Sequence, residues 1–203
     1  MGSGGIGWGV SDDLTLQTPD LSDAARQVLR VDRATAYREL VPTTGGSDEA
    51  RAALQGLDAY KLTRTFPASA PAAEAALAGL WLWHDFLHES HEISQKIDNP
   101  TGAWWHGIMH RREGDFGNAK YWFRQVGDHV LHPVLAAHTP ELLGGLDADL
   151  KVTKVVINGW DPMAFVDLCE HAHATGEHRA VAVALQHLEW RTLFDDCVRH
   201  AVN

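Results

Sequence analysis

One stretch of this chain reads as β-like, residues 152–157 (Val-Thr-Lys-Val-Val-Ile), and it is too short and too solitary to build a sheet. Everything else with apolar periodicity repeats at helical spacing. The spacing predicts helices over residues 21–31, 33–40, 47–60, 72–97, 101–112, 116–126, 163–174 and 177–201, with shorter helical pieces after His132-Pro133 and from Thr139-Pro140-Glu141 to Leu143. Punctuation supports these boundaries. Val41-Pro42-Thr43-Thr44-Gly45-Gly46 is a loop, Pro67 to Pro71 and Asp98-Asn99-Pro100 break the chain, and Gly114-Asp115 makes a turn. Asp20 or Ser22 caps the first helix and Thr101 the fifth, while Asp161 caps residues 163–174 with Pro162 at the first helical position. The expectation is an all-α fold, an irregular helical bundle with a central antiparallel helical hairpin. Residues 1–19 read as a flexible arm and 20–203 as a single domain, a length that can bury a core without disulfide or metal staples.

Charge narrows the partners. Seventeen Lys and Arg against 27 Asp and Glu give a net −10, which argues against nucleic acid or an anionic membrane. No run of 18 apolar residues spans a membrane, and Met1 to Val10 has neither the basic nor the apolar region of a signal peptide. Ile6 stands where a myristoylation signal needs Ser or Thr. Cys169 and Cys197 fall in helical apolar patterns and read as two buried free thiols. These features point to a cytoplasmic protein. Its acidic, Trp-rich helices are compatible with a homodimer.

The chain is histidine-rich, with 13 His beside 8 Trp. On the predicted helix 72–97, His84, His88 and His91 stand at i, i+4 and i+7, within roughly 60° of one another on one face. Trp81 continues the stripe, flanked on one side by Leu80, Trp83 and Leu87 and on the other by Asp85, Glu89 and Glu92. The next helix repeats the spacing with His106, His110 and Glu113. A short turn separates the two helices, so inward-facing stripes bring five imidazoles and a carboxylate together. His pairs one turn apart let both rings reach one ion, and imidazole with carboxylate suits Zn, Fe, Mn, Ni or Cu. The HExxH motif is absent, and only Glu170 to His173 matches the Glu-x-x-His helices of a di-iron bundle. The competing reading is structural imidazoles paired with Asp85, Glu89 and Glu92.

The expectation is therefore metal-binding through His91, His106, His110, His84 and His88, with a divalent transition metal as cofactor. Glu113, Asp85 or Glu92 serves as further ligand, orienter or general base. Trp81, Trp105, Arg112, Asn118 and Tyr121 are candidates to hold a small polar molecule. The reading is a metal-dependent enzyme of hydrolase, lyase or isomerase type. The alternatives are a metal-free His/carboxylate acid-base enzyme and a non-catalytic helical ligand-binding or interaction module. A second cluster, Glu170, His171, His173, Glu177 and His178, reads as helix-end polarity, and His129, His132 and His138 carry little signal. No Gly-rich phosphate loop, GxSxG or CxxC is present.

Two resemblances bear on this. Gly107, Gly114-Asp115, Ala119 and Phe123 fall where a tetratricopeptide repeat places its small and aromatic residues. No second copy follows at a spacing of about 34 residues, so this part reads as one tight helical hairpin. Residues 105–127, WHGIMHRREGDFGNAKYWFRQVG, resemble a signature of a family of uncharacterised bacterial and fungal proteins, as do SHEISQ, WDPMAFVDLCE and LQHLEWRTLF. That resemblance covers about residues 75–203 and implies no activity. It draws attention to His91, His106, His110, Glu113, Asp115, Asn118 and Tyr121.

Overall fold

Caps written into the sequence start most of the helices. The computed structural model describes residues 18–144 and 150–203, so most of the expected N-terminal arm lies outside the described residues. In chain order it contains α1 (Asp23–Arg30), α2 (Asp48–Gln55), a short 3₁₀ turn (Ala59–Lys61), α3 (Ala70–Trp83), α4 (Leu87–Ser94) and α5 (Pro100–Glu113). Then follow α6 (Phe116–Val126), α7 (His132–Leu143), α8 (Leu150–Lys154), α9 (Pro162–Thr175) and α10 (Arg179–Val202). The fold is all-α, with two isolated bridges and no sheet among the described residues. No helix among them is long and apolar enough to cross a membrane. Ser22, Ser47 and Asp161 accept hydrogen bonds from the first-turn amides of α1, α2 and α9. For α5 the cap is Asn99 rather than Thr101, with Pro100 in the first turn.

The expected helix over residues 72–97 is two helices. α3 stops at Trp83, and Asp85 adopts a left-handed conformation, φ +60°, before α4 begins. No Gly or Pro marks the break. Its cause is tertiary: Arg112 from α5 donates to Leu82 O at 2.7 Å and to Asp85 Oδ1 at 2.6 Å, capping the end of α3 and holding the Asp85 turn. An Asp tolerates this backbone better than most residues because of its short polar side chain. Three further expectations change. Residues 33–37 form turns and 38–40 are irregular, residues 152–157 belong to α8 and the turn after it, and α7 runs through Pro140 unbroken.

Buried residues from Leu21 to Ala201 make one contiguous core. Its centre is aromatic: Trp190 of α10 stacks on Phe194 at 4.7 Å, meets Trp83 at 4.7 Å and donates to Gly79 O at 2.8 Å. Beside it lies a buried ion pair. Arg111 donates to Glu189, which also accepts from Trp104 Nε1 at 3.1 Å. α5 carries both buried arginines and packs between α4 and α6, which places the helix with two of the candidate histidines at the middle of the bundle. Its first turn fits only glycine at residue 102, where a Cβ would sit 2.2 Å from Ile97 O. Gly102→Ala is expected to destabilise by about 1–3 kcal/mol, since overpacking against backbone outweighs the alanine's helix propensity of about 1 kcal/mol. Urea unfolding measures it.

Candidate functional site: a three-histidine cluster

Two successive turns of α5 bring His106 and His110 into a stack, ring centres 4.7 Å apart and 18° from parallel. Across the groove, α4 presents His91, whose ring meets His106 edge-on at 4.6 Å and lies 5.6 Å from His110. One ring nitrogen from each of the three lies within 4.8 Å of the others. α6 closes the other side, with Trp122 stacked on His106 at 3.9 Å. Glu113 Oε1 sits 2.5 Å from His110 Nδ1, and Asn118 Nδ2 lies 3.1 Å from His110 Nε2. His110, Glu113 and Asp115 form a second ligand-bearing group that shares His110 with the first.

Burial grades across the site. His106 and His110 are buried, His91 is about a third exposed at its side chain (30%), and Glu113 opens to solvent. Burial lowers the pKa of His106 to about 4, with the neighbouring His110 and His91 adding to the shift. Its Nδ1 is buried without a hydrogen-bond partner. A neutral imidazole with an unpartnered nitrogen, facing two more imidazoles, has the donor chemistry of a transition-metal ligand. Bonds of about 2.0–2.1 Å to one ion place ligating nitrogens closer to one another than 4.8 Å, so binding would draw these three rings together.

The remaining expected residues fall elsewhere. His84 lies outside the cluster, because the chain turns at Asp85; its Nε2 is 2.9 Å from Val28 O, and burial lowers its pKa. His88 is on the exposed face of α4. Asp85 is committed to Arg112, and burial raises its pKa against the pull of that guanidinium. Arg112 is fully buried over the Tyr37 ring at 3.9 Å and donates to Glu39 O, so it braces the core and is not presented to a substrate. Trp81 and Trp105 are core residues, Trp81 against Phe86 and Trp105 filling the space that Gly79 leaves. Glu92 stays near the site, 3.9 Å from His91 Nδ1, while bonding Gln95. Tyr121 is half exposed and packs edge-on against Trp122.

Trp122 joins the site without being among the expected residues, although it stands one turn after Asn118 on α6. Asp115, to which the resemblance points, is the α6 N-cap and lies beside His110 and Glu113. Glu113 holds the His110 ring at Nδ1, the position from which carboxylates orient ligating imidazoles; were the cluster to hold an ion, Glu113→Gln would weaken its affinity by about 10–100-fold without unfolding the chain. Titration calorimetry with Zn reads this. Compared with protein-family models, with curated proteins and with solved structures, the chain finds no match. The resemblance of residues 105–127 therefore rests on the quoted residues alone.

Proposed function

We propose that the protein is a metal-dependent enzyme of hydrolase, lyase or isomerase type, acting on a small polar molecule. The observation that carries this reading is the convergence of His91, His106 and His110 from two helices. These three imidazoles would hold one divalent transition ion, leaving coordination positions for water or substrate. When bound, such an ion would supply Lewis acidity, to polarise a substrate oxygen or lower the pKa of water. Glu113 fixes the tautomer and direction of the His110 ring. Trp122 holds His106 in place by stacking and keeps water from that side. Asn118, Glu92 and Tyr121 border the opening and offer polar contacts to a substrate. The buried thiols Cys169 and Cys197 are unpaired, which fits a reducing, cytoplasmic compartment and belongs to the same reading.

The close His110–Glu113 pair favours a second reading, metal-free acid-base catalysis by that dyad. Melting curves separate the two. An ion at 100 times its Kd stabilises by about 2.7 kcal/mol, which raises Tm by about 5–10 °C in a chain of this size. That rise is expected when Zn, Mn, Fe or Cu is added to chelator-treated protein, and it is expected to vanish in His106→Ala/His110→Ala. No rise with any of the four overturns the metal reading and leaves the dyad.

A further inference from the structure

On a different face of the bundle, α6, α7, α8 and the turn leading into α9 enclose a cleft of about 360 Å³. It shares no residue with the histidine cluster. Its size falls within the usual range of small-molecule sites.

Two of its wall residues carry ring nitrogens with no hydrogen-bond partner. Trp160 is 95% buried by exposure of 5%, and its Nε1–H finds no acceptor in the protein. His132 opens α7, and its Nε2 is likewise buried and unpartnered. A buried indole N–H normally finds an acceptor, and one left unmet is destabilising. Both residues line the cleft, and an acceptor seated there that drew the two rings toward it would satisfy both nitrogens. Charge at the rim agrees with this. Arg124 and Lys154 both line the cleft, both are exposed, and neither has an ion-pair partner among the described residues, in a chain with net charge −10.

Two carboxylates also line the cleft. That of Asp161 is turned to its own helix, accepting from Met163 N at 2.8 Å and Ala164 N at 3.1 Å. Asp128 is exposed at the edge, one turn past Arg124. Phe123 and Met163 add apolar wall.

We propose that this cleft binds a small organic oxyanion, a carboxylate or phosphate ester, with its oxygens on Trp160 Nε1, His132 Nε2, Arg124 and Lys154 and its body against Phe123 and Met163. An oxyanion matches these groups because it only accepts hydrogen bonds and carries the charge that guanidinium and ammonium complement. The site stands independently of the metal reading.

The test follows the indole N–H resonance of Trp160 by NMR in the full-length protein, assigned by its loss in Trp160→Phe. Inorganic phosphate and benzoate are titrated separately, with chloride at matched ionic strength as control. A saturable shift with phosphate assigns a phosphate ester, one with benzoate a carboxylate, and both together the oxyanion class. Arg124→Gln/Lys154→Gln replaces two exposed side chains and is expected to weaken binding about tenfold or more. His106→Ala/His110→Ala is expected to bind as the parent does, so failure of the metal reading leaves this result untouched. No saturable shift with either anion, or affinity unchanged in the Arg124/Lys154 variant, overturns the proposal.

Discussion

Replacing Arg111 with Met is expected to cost about 3–5 kcal/mol, a large share of the stability of a domain this size. The partner Glu189 is fully buried, so losing the guanidinium leaves a carboxylate with only the Trp104 indole against it. The pair itself contributes far less than its loss costs, because desolvating both charges offsets most of their attraction. The double replacement Arg111→Met/Glu189→Met is therefore expected to recover most of the lost stability. Urea unfolding of the single and double variants checks this. A single variant within about 1 kcal/mol of the parent would contradict the account of this pair.

Acid is expected to produce the second large effect. Burial lowers the pKa of His84, His106, His129, His132 and His187, with His106 and His187 reaching about 4. The unfolded chain protonates these imidazoles near pH 6.5, whereas the folded chain resists until about pH 4 for the two most shifted. Stability is thus fully present above about pH 6.5 and is lost as pH falls through that window, by about 1.4 kcal/mol per pH unit for each proton taken up on unfolding. Asp195 acts in the opposite sense: burial raises its pKa to about 6, so its contribution is present at low pH and lost as pH rises through 6. Asp85, whose pKa burial also raises, acts in the same sense as Asp195, so two carboxylates stand against five imidazoles and the net expectation is loss. Urea midpoints at pH 7.5, 6 and 5 should fall progressively, and His187→Gln should flatten the slope. A midpoint that holds from pH 7.5 to 5 would refute this.

Much of the fold is legible in local chemistry. Ser22, Ser47 and Asp161 cap the helices that follow them, and Pro162 starts α9, because first-turn amides need an acceptor and proline lacks the amide. The break at Asp85 is not legible, because what holds it is Arg112, 27 residues away in sequence. That one turn decides the site. With an unbroken helix His84, His88 and His91 would share a face; the turn sends His84 to Val28 and leaves His91 alone facing α5. The i, i+4 pair His106 and His110 survives because it lies within one helix. Arg111 and Arg112 look like a solvated basic spot beside Glu113 and Asp115, yet both are core residues, their partners Glu189 and Asp85 brought in from distant helices. The cleft at Trp160 is invisible to spacing, being built from four separate segments.

The central claim, that His91, His106 and His110 hold a metal ion, meets its most direct test in elemental analysis of the protein prepared without a chelator or a histidine tag. About one equivalent of a divalent transition metal per chain is expected, falling to background in His106→Ala/His110→Ala. Background metal in the parent protein, both as prepared and after incubation with Zn, Mn, Fe and Cu, would contradict it.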